Sequence, residues 1–515
     1  MDRRAFLKSS VIGLLAFATT PQNILANSGS FESKNAQGII FLVGDGWPLG
    51  VLKGMNEFSK RIFKEESNLV HLINHSMSMV LLQNTSSLSS VVTDSAPASV
   101  AWATGSKTVN RSLSVLPNGR KLKTIFELAQ QESLSCGFVT TTRVTHATPA
   151  AWYSHNSNRD DEDTIAIDLL NAKLDVVMGG GSKHFVSSQR KDNRELFEDF
   201  KNAGYTVVKS RDELLNVSYK KSILGIFSNS HIDYFIDRIN NIEIASKQPA
   251  LYEMTAVALK KLSQNPRGFI LQVEAGRIDH ACHANDAFGA IMDCYEMDKT
   301  VGVILEFMRK NQKVLLIVTS DHGNSGFGIN GTGPEYNDTT GSLLSYRNSA
   351  SFEYMIKKMK NKDVSNVKEI FEHYTQQKIT QEEAEEIWQK LNEQREFIVN
   401  DIWYEPEATM GRILRSSKYN SRGDSPAKPA LLRRGNVGFT STNHTAEDQL
   451  VIIFGGDYSE LKIKKYLDNT DLYSIMTKYL NITYYNPKMT EEEAKPFIKT
   501  ISRKEWEEHL KLHIG

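Results

Sequence analysis

The residues with the strongest chemical character lie in one block, Glu-Ala-Gly-Arg-Ile-Asp-His-Ala-Cys-His, which runs from Glu274 to His283. The packing of a hydrophobic core gives no reason for Glu274, Asp279 and His283 to cluster in this way. Carboxylate oxygens and imidazole nitrogens bind Zn²⁺, and sites made only of oxygen suit Mg²⁺. The block therefore predicts metal binding.

Further carboxylates and imidazoles occur in short polar blocks elsewhere in the chain. Asp45 lies in Gly-Asp-Gly, Asp321 and His322 are adjacent, and His444 lies in Thr-Asn-His-Thr. Burying so many acidic side chains together without cations would be prohibitively costly. The predicted metal ligands of this kind are Asp45, Glu274, Asp279, His283, Asp321, His322 and His444.

Ser95 is the candidate nucleophile. It lies in Thr-Asp-Ser-Ala-Pro-Ala-Ser, which leads into a helix-compatible stretch through Trp102. At a helix N-terminus, the macrodipole and the free amides favour both an alkoxide and a bound phosphate. Because an Asp-Ser pair in this position is most often only a helix cap, the catalytic interpretation of Ser95 depends on the neighbouring blocks.

Arg159 is the candidate phosphate ligand. It follows another polar block, Thr140 to Ala150, and lies in Asn-Arg-Asp. A guanidinium binds two phosphate oxygens in a bidentate fork, which suits a phosphoryl group that changes geometry during transfer. A surface salt bridge is the alternative for any single arginine.

The polar blocks follow short apolar runs that are rich in β-branched residues. Amphipathic segments separate these runs, as in an α/β fold with a doubly wound, largely parallel central sheet flanked by helices. In such sheets the chemistry lies just beyond the carboxyl ends of the strands. The predicted strands are Ile39–Val43, Cys136–Thr141, Asp175–Met178, Ile223–Phe227, Gly268–Val273, Val314–Thr319 and Leu450–Phe454.

One segment, from about residue 342 to 422, has a helical pattern instead. Thr380 and Glu383 have the spacing of a capping box, and apolar positions such as Ala384 and Ile387 follow. We expect a helical insertion that caps the site, within a catalytic domain of residues 35–515.

Residues 1–26 are expected to be a cleaved export signal. Arg3 and Arg4 precede the apolar run Val11–Ala18, which is typical of a twin-arginine signal and implies the twin-arginine export machinery as a partner. The alternative is a membrane anchor, but a spanning helix needs about 20 apolar residues. The expected location is therefore periplasmic or secreted, with no membrane span.

Charge and cysteine content exclude two further classes of protein. The chain has 61 basic and 61 acidic side chains, so it lacks the excess of positive charge that nucleic-acid binding requires. The three cysteines, Cys136, Cys282 and Cys294, are too few and odd in number for a disulfide framework. A single Cys282–Cys294 bridge is the pairing that the sequence leaves open.

The blocks occur in the order Asp-Gly, Thr-Asp-Ser-Ala, His-Ala-Thr-Pro with Asn-Arg, Glu-x4-Asp-x3-His, Asp-His and a late His-Thr. Each could arise by chance, but all of them in this order resemble the alkaline phosphatase family. The resemblance spans about Ile39 to Gly456. It implies a phosphomonoesterase in which Ser95 attacks phosphorus in line, a phosphoserine forms, and water then releases inorganic phosphate.

The resemblance also implies the roles of the ligands. One zinc ion would be held by Asp279, His283 and His444, and a second zinc ion beside Ser95 by Asp45, Asp321 and His322. A third ion, usually magnesium, would be held by Asp45, Thr148 and Glu274, while Arg159 would bind the non-bridging oxygens. Homodimers are common in the family.

His146 and His280 depart from part of the family. The best-known bacterial enzyme has Asp and Lys at these positions, whereas the mammalian enzymes resemble this chain. Both histidines are expected to support the third metal site from outside its ligand set, which leaves the identity and occupancy of the third ion open.

Other activities of the superfamily fit less well. Sulfatases need an arginine in Cys/Ser-x-Pro-x-Arg, and this chain has Ser99 at the last position of that motif. Phosphodiesterases typically use a threonine nucleophile and lack a partner such as Arg159. A phosphodiesterase side activity is nevertheless the leading enzymatic alternative. A non-catalytic metal-binding protein is the alternative from another class, and the intact set of ligands argues against it.

Overall fold

The computed structural model of the protein describes residues 37–331, 339–392, 406–415, 435–458 and 461–498, together with 500, 502 and 504. The signal predicted for residues 1–26 lies outside these ranges, as does part of the insertion predicted for residues 342–422. Within these ranges, no helix combines the length and the apolar character that crossing a membrane requires.

A ten-stranded sheet forms the centre of the fold. In chain order the described strands are β1 (Gly38–Gly44), β2 (Met79–Asn84), β3 (Ser135–Arg143), β4 (Val176–Gly180), β5 (Thr206–Val208), β6 (Ile223–Ile226), β7 (Phe269–Ala275), β8 (Val314–Thr319), β9 (Gly323–Asn324), β10 (Gly328–Ile329), β11 (Val437–Gly438), β12 (His444–Thr445), β13 (Gln449–Phe454) and β14 (Tyr466–Asp468). The order in the large sheet is β14-β2-β13-β8-β1-β7-β3-β4-β6-β5, and the pairs β9–β12 and β10–β11 are separate two-stranded sheets.

The large sheet is mostly parallel. β8, β1, β7, β3, β4 and β6 run parallel to one another, whereas β13 pairs antiparallel with β8 and β2. All seven predicted strands are present, and the doubly wound, largely parallel architecture is confirmed. In the sheet register, Val43 of β1 lies opposite Glu274 of β7 and Thr319 of β8, which brings the carboxyl ends of three central strands to one edge.

Both faces of the sheet are covered, as a parallel sheet requires. Successive side chains of β1 point to opposite faces: Ile40 and Leu42 pack in one hydrophobic core, whereas Ile39, Phe41 and Val43 pack in the other. The near-continuous apolar composition of the strand follows from this burial. Each such side chain stabilises the fold by roughly 1.5–3 kcal/mol relative to an exposed one.

Helices supply the two outer layers. The described α-helices are Leu49–Phe58, Asn68–Asn74, Ser95–Thr104, Ile125–Gln131, Ala147–Ala150, Glu162–Ala172, Leu196–Asn202, Arg211–Leu215, Phe235–Asn240, Ile242–Lys247, Leu251–Leu262, Arg277–His283, Ala287–Lys310, Thr340–Leu343, Phe352–Met359, Val364–Thr375, Gln381–Asn392, Glu407–Arg415, Thr470–Tyr479 and Glu491–Ala494. A π-helix spans Ser59–Phe63, and short 3₁₀ helices span Ser182–His184 and Lys495–Phe497.

Helices also occupy the described part of the segment from 342 to 422. Its helix Gln381–Asn392 begins after a capping box in which the Thr380 amide donates to Glu383 at 2.9 Å and the Glu383 amide donates to the Thr380 hydroxyl at 3.2 Å. The interpretation of the segment as a cap over the site stays a prediction.

The segment is attached to the main domain through the start of the helix Phe352–Met359. Ser351 donates two hydrogen bonds to Asp237, from its amide at 2.8 Å and from its hydroxyl at 2.6 Å. The Phe352 amide donates to Asp286 at 2.9 Å, and the Glu353 carboxylate pairs with Arg277. These contacts join the segment to the helix Arg277–His283, which carries predicted metal ligands.

The three cysteines are buried free thiols. The Cys282–Cys294 bridge that the sequence left open is therefore not formed. Both side chains pack among apolar residues of one hydrophobic core, which accounts for their burial without a covalent link.

The attachment at Asp237 predicts a pH dependence of stability. Burial raises the pKa of Asp237 to about 7, although Ser351 donates to the carboxylate. Because the folded protein binds this proton more tightly than the unfolded chain, the stabilisation is present at low pH and is lost as pH rises towards about 7. The loss is at most about 1.4 kcal/mol per pH unit.

The Asp237→Asn variant should lack this dependence because asparagine does not titrate. We expect its free energy of unfolding to change less between pH 5 and pH 8 than that of the wild type, as measured by denaturant titration at each pH. Glu198→Gln, at an exposed carboxylate, is the control. Equal pH slopes for Asp237→Asn and the wild type would contradict the prediction.

Candidate active site

The candidate site lies at the carboxyl edge of the central strands. Asp45 follows β1, Glu274 is the penultimate residue of β7, and Asp321 with His322 follows β8. His146 and Thr148 follow β3. Because neighbouring parallel strands end at the same edge, residues that are up to 277 positions apart in sequence meet there.

Asp279, His283 and His444 form the first group of potential metal ligands. Asp279 and His283 lie one helical turn apart on the helix Arg277–His283, so both face the same side. The His283 Nε2 lies 3.3 Å from an Asp279 carboxylate oxygen and 3.0 Å from the His444 Nε2. A second nitrogen-to-oxygen distance, from the His444 Nε2 to the Asp279 Oδ1, is 3.6 Å.

The orientation of the two rings favours a cation between them. The His283 Nδ1 lies 2.5 Å from the Thr442 carbonyl oxygen, and the His444 Nδ1 lies 3.0 Å from that of Thr93. Since a carbonyl only accepts, each Nδ1 carries the proton, and in a neutral ring the Nε2 presents a lone pair. Two lone pairs and a carboxylate that face one another fit a Zn²⁺ ligand set.

Asp45, Asp321 and His322 form the second group. The His322 Nε2 lies 3.2 Å from the Asp321 Oδ2 and 3.6 Å from the Asp45 Oδ1, and neither of these buried oxygens has a hydrogen-bond donor among the described residues. The other Asp321 oxygen accepts from the amides of Gly46 and His322. Buried carboxylate oxygens with no donor are suited to coordinate a cation.

Asp45, His146 and Glu274 form the third group, with potential ligand atoms within 4.8 Å of one another. The Thr148 hydroxyl donates to the Asp45 Oδ2 at 3.2 Å, so it lies beside this group. Thr140 and Thr142 both donate to the Glu274 Oε2, and the Glu274 Oε1 is buried with no donor among the described residues. His146 was expected to support the third site from outside its ligand set, whereas the geometry groups its ring with the carboxylates.

The other predicted supporting residue, His280, does not join a ligand group in the described structure. Its buried ring adjoins two other imidazoles, with its centroid 5.7 Å from that of His146 and 4.3 Å from that of His231. His231 was not predicted from the sequence. It follows strand β6 near its carboxyl end, so inspection of that loop would have identified it.

Burial and mutual repulsion of the carboxylates make the site unfavourable without cations. Burial raises the pKa of Asp321 to about 6 and that of Glu274 to about 7. The pKa of Asp45 is raised well above its usual value by burial and by the charges of Asp321, Asp279 and Glu274. Divalent cations supply the compensating charge that such a cluster needs.

Ser95 lies beside the second group. It is the first residue of the helix Ser95–Thr104, is only 2% exposed, and its Oγ lies 3.2 Å from the His322 Nε2. Asp94 caps the helix by accepting from the Ala96 amide at 2.8 Å. The helix therefore points its amino end and the Ser95 hydroxyl at the carboxylate cluster.

Arg159 is joined to both the helix cap and the third group. Its Nη1 donates to Asp94 at 3.0 Å, and its Nη2 donates to the His146 Nε2 at 3.1 Å. The guanidinium is therefore held in place before any phosphate binds. The structure thus brings together Ser95, Arg159, Thr148, His146 and the seven carboxylate and imidazole ligands predicted from the sequence.

The site lies at the carboxyl edge of a doubly wound sheet and combines a serine at a helix N-terminus with an arginine and three groups of carboxylates and imidazoles. This combination defines a metal-dependent hydrolase of phosphate esters. The sequence matches the model of the family described as alkaline phosphatase over residues 36–482. The chain belongs to this family and is a phosphomonoesterase, as the resemblance implied.

Curated relatives and solved structures agree with this assignment. The chain is 30% identical over 475 residues to alkaline phosphatase 4 of Bacillus subtilis, which covers 91% of this chain and 94% of the relative. It is 27% identical over 505 residues to alkaline phosphatase 3 of the same organism, covering 95% and 99%. The crystal structure of Thermus thermophilus alkaline phosphatase superposes with a TM-score of 0.81 at 32% identity, covering 93% of this chain and 98% of the other.

Removal of the cations should destabilise the fold, because the buried carboxylates would face one another without compensation. Free ion at about 1,000 times its Kd adds roughly 4 kcal/mol to the free energy of unfolding. We expect a chelator to lower the unfolding temperature of the wild type, and to lower it less in Glu274→Gln, which has one carboxylate fewer in the cluster.

Differential scanning calorimetry with and without chelator measures both shifts. Glu492→Gln, at an exposed carboxylate far along the chain, is the control and should respond as the wild type does. An identical chelator shift in Glu274→Gln and in the wild type would show that Glu274 is outside the cation-dependent cluster.

Proposed function

We propose that Ser95 is the nucleophile of this phosphomonoesterase and becomes phosphorylated during turnover. The observation that carries the proposal is the position of the Ser95 Oγ, 3.2 Å from the His322 Nε2 at the amino end of a helix and beside the Asp45–Asp321–His322 group.

The proposed reaction has two displacements. The Ser95 oxygen bonds to phosphorus as the bond between phosphorus and the ester oxygen breaks, which gives phosphoserine and an alcohol. A water molecule then attacks phosphorus from the side that the alcohol has left, which restores the Ser95 hydroxyl and releases inorganic phosphate. Helix amides at the Ser95 end stabilise negative charge on the serine oxygen and on the phosphoryl group.

We assign zinc to the two groups that combine imidazole and carboxylate, Asp279–His283–His444 and Asp45–Asp321–His322. Magnesium is assigned to the oxygen-rich site of Asp45, Thr148 and Glu274, with His146 adjoining it. Bound divalent cations supply Lewis-acid chemistry, which favours deprotonation of a neighbouring hydroxyl and neutralises charge on ester oxygens.

Arg159 is the proposed ligand of the non-bridging phosphate oxygens. Its guanidinium is buried and is oriented by Asp94 and His146, so little conformational entropy is lost when phosphate binds. Because both partners lie next to Ser95 or the third group, the arginine and the nucleophile are held relative to one another.

We also propose export by the twin-arginine pathway to the periplasm or beyond the cell. This proposal rests on Arg3, Arg4 and the apolar run Val11–Ala18, which lie outside the described residues.

The family resemblance supports two further proposals. The assembly is a homodimer. The substrates are phosphate monoesters, and a phosphodiesterase side activity is the leading alternative activity.

The proposed substrate class is tested by comparing a chromogenic phosphate monoester with the matching diester and sulfate ester at alkaline pH, with zinc and magnesium present. We expect the monoester to be hydrolysed fastest and chelation to abolish its turnover. Faster hydrolysis of the diester or the sulfate would assign the main activity to that ester class instead.

Ser95→Ala should lower monoester turnover by at least about a thousandfold, because it removes the attacking oxygen. Metal content and unfolding temperature should stay close to those of the wild type. Ser474→Ala, at an exposed helix position, is the control. Acid quenching and mass spectrometry should detect phosphate on Ser95 in the wild type, and wild-type turnover by Ser95→Ala would remove this residue from the reaction.

A further inference from the structure

Arg111 lies outside the three ligand groups and has an unusual backbone conformation. Its φ is +72°, in the left-handed region that residues with a Cβ rarely adopt. Several other non-glycine residues with positive φ have a simple explanation, because Lys64, Lys173 and Gln376 are the C-caps of helices. Arg111 caps no helix in the described structure, so its conformation needs another reason.

The main chain of Arg111 joins the two elements that face the phosphate site. Its amide donates to the Asp94 Oδ2 at 2.6 Å, and its carbonyl oxygen accepts from the Arg159 amide at 2.9 Å. Asp94 caps the helix that begins with Ser95, and Arg159 is the proposed phosphate ligand. One residue therefore sets the spacing between the nucleophile helix and the arginine loop.

The left-handed conformation is what makes both hydrogen bonds available together. A rotation of φ to the usual negative range would change the angle between the Arg111 amide and its carbonyl. Either the amide would then turn away from Asp94 or the carbonyl would turn away from Arg159. Asp94 also accepts from the Ala96 amide and from the Arg159 guanidinium. Loss of the Arg111 amide would thus loosen a carboxylate that orients both the helix and Arg159.

The side chain of Arg111 restrains the same loop from a second direction. Its Nη2 pairs with the carboxylate of Asp160, the residue that follows Arg159, and both side chains are mostly buried, at 17% and 11% exposure. Its Nη1 is buried with no hydrogen-bond partner among the described residues. A buried guanidinium nitrogen without a hydrogen-bond partner costs stability, so its position calls for an explanation other than stability.

A β-bridge between Leu113 and Asn156 also holds the Arg111 and Arg159 segments together. The amide and carbonyl of Leu113 exchange hydrogen bonds with those of Asn156, at 2.7 and 2.9 Å. The segment that carries Arg111 and the segment that carries Arg159 therefore run side by side. Because the bridge is antiparallel, Arg111, which precedes Leu113, and Arg159, which follows Asn156, lie at the same end of it.

We propose that Arg111 is a positioning residue for phosphate binding: its left-handed main chain fixes Asp94 relative to Arg159, and its guanidinium holds the Arg159 loop through Asp160. Arg111 acts through Arg159 and does not itself bind the phosphoryl group. The inference rests on the proposed role of Arg159 as the phosphate ligand.

The test measures the Kd of inorganic phosphate by isothermal titration calorimetry on the metal-loaded full chain, together with metal content, unfolding temperature, kcat and KM for a phosphate monoester. The variants are Arg111→Gly, Arg111→Lys and Arg159→Ala, and the double variant of Arg111→Gly with Arg159→Ala. Lys64→Gly is the matched control, since it also replaces a basic residue of positive φ, at a helix C-cap.

Glycine adopts the left-handed conformation readily, so Arg111→Gly keeps the main-chain hydrogen bonds and removes the guanidinium that holds Asp160. We expect this variant to weaken phosphate binding and to raise KM by about tenfold, because the Arg159 guanidinium, displaced with its loop, loses its bidentate geometry. Metal content should not change, and Arg111→Lys, which retains a cation for Asp160, should recover most of the affinity. Lys64→Gly should match the wild type. In the Arg159→Ala background, Arg111→Gly should change the phosphate Kd by less than about twofold.

Two results would overturn the inference while leaving the role of Arg159 intact. One is a phosphate Kd within twofold of wild type for Arg111→Gly when Arg159→Ala weakens binding strongly. The other is an equal loss of phosphate affinity from Arg111→Gly in both backgrounds, which would make Arg111 independent of Arg159.

If Arg159→Ala leaves the Kd unchanged, the proposed role of Arg159 fails and the inference fails with it. Should Arg111→Gly not fold, Arg111→Ala replaces it, and wild-type affinity in Arg111→Ala would overturn the role of the side chain.

Discussion

Electrostatic repulsion among buried carboxylates is the constraint on which the rest of this structure depends. Asp45, Glu274 and Asp321 are fully buried at the ends of β1, β7 and β8, three strands that are adjacent in the sheet. Because the register of the sheet fixes these ends, the side chains cannot separate to reduce their repulsion. A scaffold that forces acids together in this way is stable only with cations between them. The same scaffold gives the cations a fixed geometry, which is what in-line phosphoryl transfer needs.

Sequence patterns predicted those strands whose apolar pattern in the sequence matches their burial in the fold. β1 and β8 are continuous apolar runs because both of their faces are covered, and the acids that follow them are polar because they lie at the open edge. β2 was missed because it lies near the end of the sheet and has mixed burial: Val80 and Leu82 are exposed, whereas Gln83 is buried. β5 and β14 have only three residues each, which is too short for a periodic pattern.

The candidate site was also predictable only in part. Its proposed ligands could be predicted because each follows a recognisable strand or has a residue type that packing does not explain. The grouping of His146 with Asp45 and Glu274, and the tilted ring contact of His231 with His280, could not be predicted. They depend on how the loops that follow β3, β6 and β7 meet in space. Arg111 could not be predicted either. A positive φ is usually signalled by glycine, and here it is imposed on an arginine by hydrogen bonds to Asp94 and Arg159.

The segment from 342 to 422 is joined to the site by an ion pair with the helix that carries two of the proposed metal ligands. Glu353 pairs with Arg277, and Arg277 begins the helix that carries Asp279 and His283. The Arg277 guanidinium also lies 3.9 Å above the ring of Tyr234, so it is held between the segment and the main domain. A displacement of the segment at Glu353 is therefore transmitted to the helix that orients two of the proposed metal ligands. Changes of sequence in this segment can thus alter the geometry at Asp279 and His283 while every residue of the site is conserved in type.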